Sequence, residues 1–185
     1  MTTEGTTDEE LMLKLGRQDM SALGELVRRH QQRVLDLAFR TLGKWDLAED
    51  ITQEAFLRVH RAAGNYKPTA RFTTWLYRIV VNLCFDAQRS LARKAAPLDG
   101  AALDVEAGTD YDAAERKELV EFVKAAVGRL PQRQRMALIL HRYQGLSHGE
   151  IAEVTGWSSS AVESLLVRAY ANLREKLDKV KYYVE

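Results

Sequence analysis

Residues that punctuate or cross-link a chain are scarce in this sequence: one cysteine, three prolines and eleven glycines in 185 residues. A single thiol excludes an internal disulfide framework and most cysteine-based metal sites. Cys84 lies in an apolar stretch and reads as a packed core thiol. The four histidines, His30, His60, His141 and His148, form no i,i+4 pair and no HExxH pattern. No metal centre or other cofactor is therefore expected. No apolar run approaches the roughly 18 residues that a membrane span requires. The segment from Met1 to Glu10 is polar and acidic, the opposite of a basic-then-apolar signal peptide, so the expected compartment is cytoplasmic.

What the chain does have is helical periodicity. Apolar residues recur at three- and four-residue spacing rather than in alternation, which predicts an all-α protein. With 46% hydrophobic residues it can build one ordinary domain or two small ones. The net charge of +1 conceals a pattern. Residues 20–94 carry thirteen Lys/Arg against seven Asp/Glu, residues 95–115 carry six acids and no base, and residues 116–185 carry twelve bases against eight acids. Two basic blocks separated by an acidic strip suit two surfaces for a polyanion joined by a tether that avoids it. A mixed solvated surface would give similar numbers.

The stretch from Lys94 to Asp112 holds Pro97, Gly100, Gly108 and many alanines without an amphipathic period, and reads as a flexible linker. At about 3.3 Å per residue it could span roughly 60 Å. The expected division is a first block over 1–94, an acidic linker over 95–112 and a second block over 113–185, each block with its own small core.

In the first block, Thr7-x-x-Glu10 fits a capping box that opens a short helix. A long helix follows from about Asp19 to Leu42, closed by Gly43. Asp46-x-x-Glu49 is expected to cap a third helix carrying Ile51, Ala55, Phe56 and Val59 on one side. A loop from Gly64 to Arg71 precedes a fourth helix over about Thr73 to Arg93. The second block is expected to hold a helix from Tyr111 to Gly128, a break at Leu130-Pro131, and a helix from Gln132 to Tyr143 stopped near Gly145. Ser147-x-x-Glu150 opens a short helix that Gly156 ends, and Ser158 to Ser160 begin a long last helix. A short helix, a Gly-containing turn and a second helix describe a helix-turn-helix, whose second helix enters the DNA major groove.

Two stretches carry a resemblance. DLAEDITQEAFLRV (Asp46 to Val59), followed by FTTWLYRIVVNLCFDAQR (Phe72 to Arg89), resembles region 2 of the extracytoplasmic-function group of sigma factors. LPQRQRMALILHRYQGLSHGEIAEVTG, within Leu130 to Leu177, resembles their region 4. The likeness covers roughly residues 8–178 in the family's order. It implies an all-α protein of two small helical domains, a region 2 four-helix domain and a region 4 helix-turn-helix domain. It also implies a subunit that binds core RNA polymerase and selects promoters, acting without catalysis or a small-molecule substrate.

The resemblance assigns roles to particular positions. Asp50, Gln53, Glu54 and Phe56 match the helix that docks on the clamp coiled coil of the polymerase largest subunit; an acid-amide-acid ridge with an aromatic suits a basic helical partner. The alternatives are surface pairing of Asp50 and Glu54, and a core place for Phe56. Tyr66, Lys67, Arg71, Phe72, Trp75, Arg78, Asn82 and Asp86 match the part that opens and reads the −10 element, where an unstacked base needs aromatic and amide partners and its backbone needs cations. Trp75 could equally pack its helix. In region 4, Ser158, Ser159, Ser160, Glu163, Ser164, Val167 and Arg168 fall on the part facing the −35 element. Here the chain departs from many relatives, carrying Glu163 and Leu165 where Lys or Arg is frequent. Glu163 could accept from a cytosine amino group or complete a cap with Ser160. Implied partners are core polymerase (the clamp and the flap of the other large subunit), promoter DNA and an anti-sigma factor. The linker either threads the polymerase cleft or acts as a passive tether.

Two rival readings remain open on residues alone. A free-standing helix-turn-helix regulator would bind a palindrome as a dimer, but would leave the Asp50–Phe56 ridge unexplained. A small helical enzyme would need a Cys/His/acid constellation, a phosphate-binding Gly-rich loop or paired carboxylates, none of which the sequence presents.

Overall fold

The computed structural model describes residues 5–94 and 121–181. Helix α1 spans Asp8–Gly16, α2 Met20–Leu42, α3 Trp45–Ala62 and α4 Phe72–Lys94, with a 3-10 turn Ala63–Asn65 before the loop to α4. Residues 121–128 form α5. They are followed by α6 (Gln132–Arg142), α7 (His148–Thr155) and α8 (Ser159–Lys181). The described residues contain no strand, and none of their helices is long and apolar enough to cross a membrane. The expected linker over 95–112 and the first part of the helix expected from Tyr111 lie outside the described residues.

Local chemistry sets most helix ends. The Thr7 hydroxyl accepts from Glu10 N while the Glu10 carboxylate accepts from Thr7 N, and Ser147 and Glu150 repeat the arrangement at α7. Each box satisfies two of the backbone donors that a helix start leaves free. Asp19 caps α2 through Ser21 N, and Gly43 ends it with φ 68°, a left-handed conformation that a side chain would strain. The start of α3 differs from expectation. Lys44 is the cap position, without a side-chain cap bond, and Asp46 lies inside the first turn. The Glu49 carboxylate instead accepts from the Trp45 indole N–H at 3.0 Å.

Helices α1 to α4 enclose Met12, Leu26, Val34, Leu37, Val59, Phe72, Leu76 and Val80, all fully buried. Side chains of this size stabilise by about 1.5–3 kcal/mol each when buried, against the entropy of ordering them. Polar clamps supplement the apolar contact. Asp8 accepts from Arg29 at 2.9 Å and shares a 2.7 Å hydrogen bond with Nε2 of the buried His30. Glu9 accepts from Phe72 N at 2.7 Å, so α1 caps α4 across the fold. The α1 terminus also approaches the 3-10 turn closely: a Cβ on Gly16 would sit 2.6 Å from the Ala63 carbonyl oxygen.

In the second block, Val127, Leu130, Leu138 and Ala169 form a small cluster of their own. Most of its remaining core, including Met136, Ile139, Leu140, Ile151, Val154 and Val162, is continuous with the core of the first block. This corrects the expectation of two separate cores. Helix α7 packs on α4 and α6 packs on α2, because their apolar stripes are completed across the block boundary.

Candidate nucleic-acid and polymerase interfaces

The loop after the 3-10 turn and the first two turns of α4 form an open cleft of about 650 Å³. Tyr66 and Trp75 face each other edge-on with ring centroids 5.5 Å apart. Asn65, Lys67 and Arg78 supply an amide and two cations on the same walls. Aromatic faces for a base and cations for its phosphates are the groups that hold an unstacked nucleotide. Burial, reinforced by the Glu9 and Asp8 carboxylates, raises the Tyr66 phenol above its ordinary value. The phenol therefore stays protonated.

The expected −10 residues divide on inspection. Tyr66, Lys67, Trp75 and Arg78 line the cleft together. Arg71 is exposed at its edge, and Asn82 and Asp86 continue the Arg78 stripe along α4 at four-residue steps, both exposed. Asp86 is paired with Arg89. Phe72 is fully buried, its ring against His30 at 5.3 Å and Trp75 at 5.9 Å. Burial removes it from direct contact with DNA and makes it the support behind Trp75. Thr69, Ala70, Thr74 and Glu153 also line the cleft and were missed. The first three carry no charge or aromatic ring to mark them, and Glu153 arrives from the other block.

A second, apolar cleft of about 570 Å³ lies between α2 and α3, walled by Met20, Leu23, Val27, Gln53, Phe56 and Leu57 among others. Met20 and Leu57 are about half exposed at its rim, at 53% and 49%. Phe56 is buried and forms the floor rather than a projecting anchor. Asp50 and Gln53 are exposed and Glu54 is half-buried on the same helix. Glu54 accepts from Arg58 at 2.8 Å, and this bond holds its carboxyl below the usual range. The exposed apolar rim of Met20 and Leu57 was not anticipated; at helical spacing both could have been core.

On α8, Ser158 is the cap, its hydroxyl accepting from Ala161 N at 3.2 Å. Ser160 bonds to Ser158 at 3.1 Å, so the alternative in which Ser160 and Glu163 make the cap is replaced. Ser158, Ser159, Ser160, Glu163, Ser164, Val167 and Arg168 are all exposed along one side of the helix start, with Val167 at 63%. Val162, Leu166 and Ala169 are buried on the other. Leu165 is half-buried against the core, so it is not part of the exposed face.

The family model described as Sigma-70 region 2 matches residues 26–94, and that described as Sigma-70, region 4 matches residues 123–173. The RNA polymerase sigma-H factor of Pseudomonas aeruginosa is 34% identical over 182 residues, covering 93% of this chain and 92% of its own length. The ECF RNA polymerase sigma factor SigM of Mycobacterium tuberculosis strain H37Rv is 36% identical over 175 residues, covering 92% of this chain and 85% of its own. Among solved structures, CnrH in complex with the cytosolic domain of CnrY superposes with a TM-score of 0.69 at 29% identity, covering 93% of this chain and 97% of CnrH.

Proposed function

The chain belongs to the extracytoplasmic-function group of the sigma-70 family, and on that premise we propose that it binds core RNA polymerase and directs it to promoters by reading −10 and −35 elements. It acts by binding, in the cytoplasm, and contributes no catalytic group. The first domain, 1–94, docks on the largest-subunit clamp through Asp50, Gln53 and Glu54, with Met20 and Leu57 receiving apolar side chains from the partner helix. Tyr66, Lys67, Trp75 and Arg78 capture an unstacked base of the −10 strand. Arg71, Asn82 and Asp86 lie beside that path. The second domain, 113–185, lays the Ser158–Arg168 face of α8 in the −35 major groove and contacts the flap of the other large subunit. Linking the two modest contacts through residues 95–112 raises the effective concentration of the second once the first is made.

The observation that carries this reading is the Tyr66–Trp75 cleft with Lys67 and Arg78 on its walls, on the domain matching region 2. An anti-sigma factor is a further proposed partner, supported by the likeness to CnrH, which was solved with CnrY. The test is co-purification with core polymerase. Stoichiometric binding by the native chain, weakened by Asp50→Ala with Gln53→Ala, is the expected result. A folded, inhibitor-free preparation that fails to bind would overturn the reading in favour of a free-standing helix-turn-helix regulator.

A further inference from the structure

We propose that the chain carries a nucleotide site: the cleft between the second half of α2 and the turn after α6 takes a nucleoside di- or triphosphate, as a ligand and not a substrate. This cleft encloses about 330 Å³, at the small end of the range that suits a bound small molecule. Arg33, Asp36 and Arg40 form its wall on α2, and Arg142, Tyr143 and Gln144 form the other. None of these residues lines the candidate −10 cleft or the apolar cleft between α2 and α3. The charge here is unsatisfied within the chain, for three guanidiniums share the cleft with one carboxylate. Arg33 stands three residues before Asp36 and Arg40 four after it, spacings at which helix ion pairs ordinarily form. Asp36 instead accepts from the Gln32 amide at 3.0 Å. Neither of the two arginines, nor Arg142, forms an ion pair among the described residues. On the same helix, by contrast, Glu25 takes up both Arg28 and Arg29. A phosphate chain supplies the missing anion, since guanidiniums bind its oxygens in bidentate pairs.

A bare anion needs only cations, and this cleft holds more. Tyr143 is 46% exposed, and the Arg40 guanidinium lies over its ring at 4.0 Å from the centroid. That stacking orients the ring and leaves its exposed part for a base. Asp36 retains lone pairs that can accept from a sugar hydroxyl or a base N–H. The walls are held before any ligand arrives. Gln144 is fixed at both ends of its amide, accepting from the Tyr77 hydroxyl at 3.0 Å and donating to the Arg33 carbonyl at 3.3 Å. Gly145 turns the chain beside it with φ 70°. Burial raises the Tyr77 phenol and the Arg33 charge opposes that rise, so the Arg33 head lies near the same hydroxyl. A site so preorganised loses less entropy on binding. Cations that follow a nucleic-acid backbone lie along a track. These three converge on one small cleft, and the Asp36 carboxylate among them would repel a continuous row of phosphates.

The test is anisotropy of a fluorescent nucleoside diphosphate titrated with the full chain at physiological salt. Saturable one-to-one binding, displaced by unlabelled nucleoside di- and triphosphates, is expected. Arg33→Gln with Arg142→Gln changes two exposed positions, so the fold should survive, and affinity should fall roughly tenfold with the loss of two charge-assisted contacts. Arg17→Gln with Arg174→Gln removes the same charge from exposed positions outside the cleft and should change affinity less than about twofold, since salt screens distant charges. Tyr143→Leu should weaken the nucleotide several-fold while leaving competition by inorganic pyrophosphate unchanged. Equal losses in the two double variants would reduce the binding to general electrostatics and remove the site. Pyrophosphate competing as well as the nucleotide, with Tyr143→Leu without effect, would overturn the nucleotide assignment. So would the absence of saturation up to about 1 mM ligand. Displacement by random-sequence single-stranded DNA at far lower concentration than by free nucleotides, with the same dependence on Arg33 and Arg142, would reassign the cleft to nucleic acid.

Discussion

Removing the Glu9 carboxylate tests how α1 supports the candidate −10 cleft. Glu9 Oε1 accepts from the Phe72 backbone N–H at 2.7 Å, and Phe72 itself is fully buried, so no water can replace the lost acceptor easily. A hydrogen bond to a charged group contributes about 1.5–3 kcal/mol, and a carboxylate at a helix start adds roughly 0.3–1 kcal/mol. Glu9 is half-buried, so part of this is screened, and about 1–2 kcal/mol is the expected loss for Glu9→Ala. At roughly 2–4 °C per kcal/mol for a chain of this size, the midpoint of thermal unfolding followed by circular dichroism should fall by about 2–8 °C. Glu9→Gln keeps an acceptor without the charge and should lose about half as much. The same variants carry a second signal. The Glu9 charge helps to raise the Tyr66 phenol, so either substitution should move the Tyr66 titration down towards 10. If Glu9→Ala melts within about 1 °C of the parent, a margin well below the 2–4 °C that one kcal/mol would produce, the cross-fold cap is not a stabilising contact and the reasoning fails.

Other expectations are briefer. Leu57→Asn should weaken core-polymerase binding several-fold in a pull-down titration while leaving the melting midpoint almost unchanged, because the side chain is 49% exposed; a large stability loss would make it core instead. Hydrogen bonds from Arg28 and Arg29 hold the Glu25 carboxyl at about 2, against an ordinary 4.5. Because the folded value is the lower one, the stabilisation is complete above about pH 4.5 and is lost as pH falls through 2. Glu25→Gln should therefore flatten the acid limb of stability in that window, and an unchanged limb would show the pairs to be idle. Burial pushes the Cys84 thiol up to about 12 from 9.0. Between those values the unfolded chain loses the proton first, so stability declines as pH rises. At neutral pH the thiol should react with a maleimide only as fast as the chain opens; labelling at the rate of a free thiol would contradict its burial.

Much of the fold was legible because it is written locally. Thr7 and Glu10, Ser147 and Glu150, and the glycines at 43 and 156 set helix ends by contacts within four residues, and the structure has them as expected. Asp46 misled for an equally local reason, since Lys44 already holds the cap position of α3. The site was harder to read. Aromatic residues at helical spacing carry the same signal whether they line a cleft or fill a core. Trp75 lines the cleft and Phe72, three residues earlier, lies wholly inside. Hydrophobic periodicity marks which side of a helix is buried but not what buries it. The stripes of α4 and α7 were therefore visible, while their packing against each other, and Glu153's place among the cleft residues, were not.

The shared surface on α4 has a consequence for genetics. Trp75 and Arg78 line the candidate nucleic-acid cleft together with Glu153 of α7, so one substitution there touches both a candidate DNA contact and the neighbourhood of the second block. A reporter screen for promoter output would record the two effects together. Positions such as Asn82, on the same stripe but outside the cleft that Glu153 shares, escape that ambiguity. On the proposed −10 reading, allele strength there should rank sequence preference alone, which makes Asn82 the position at which to begin testing that reading.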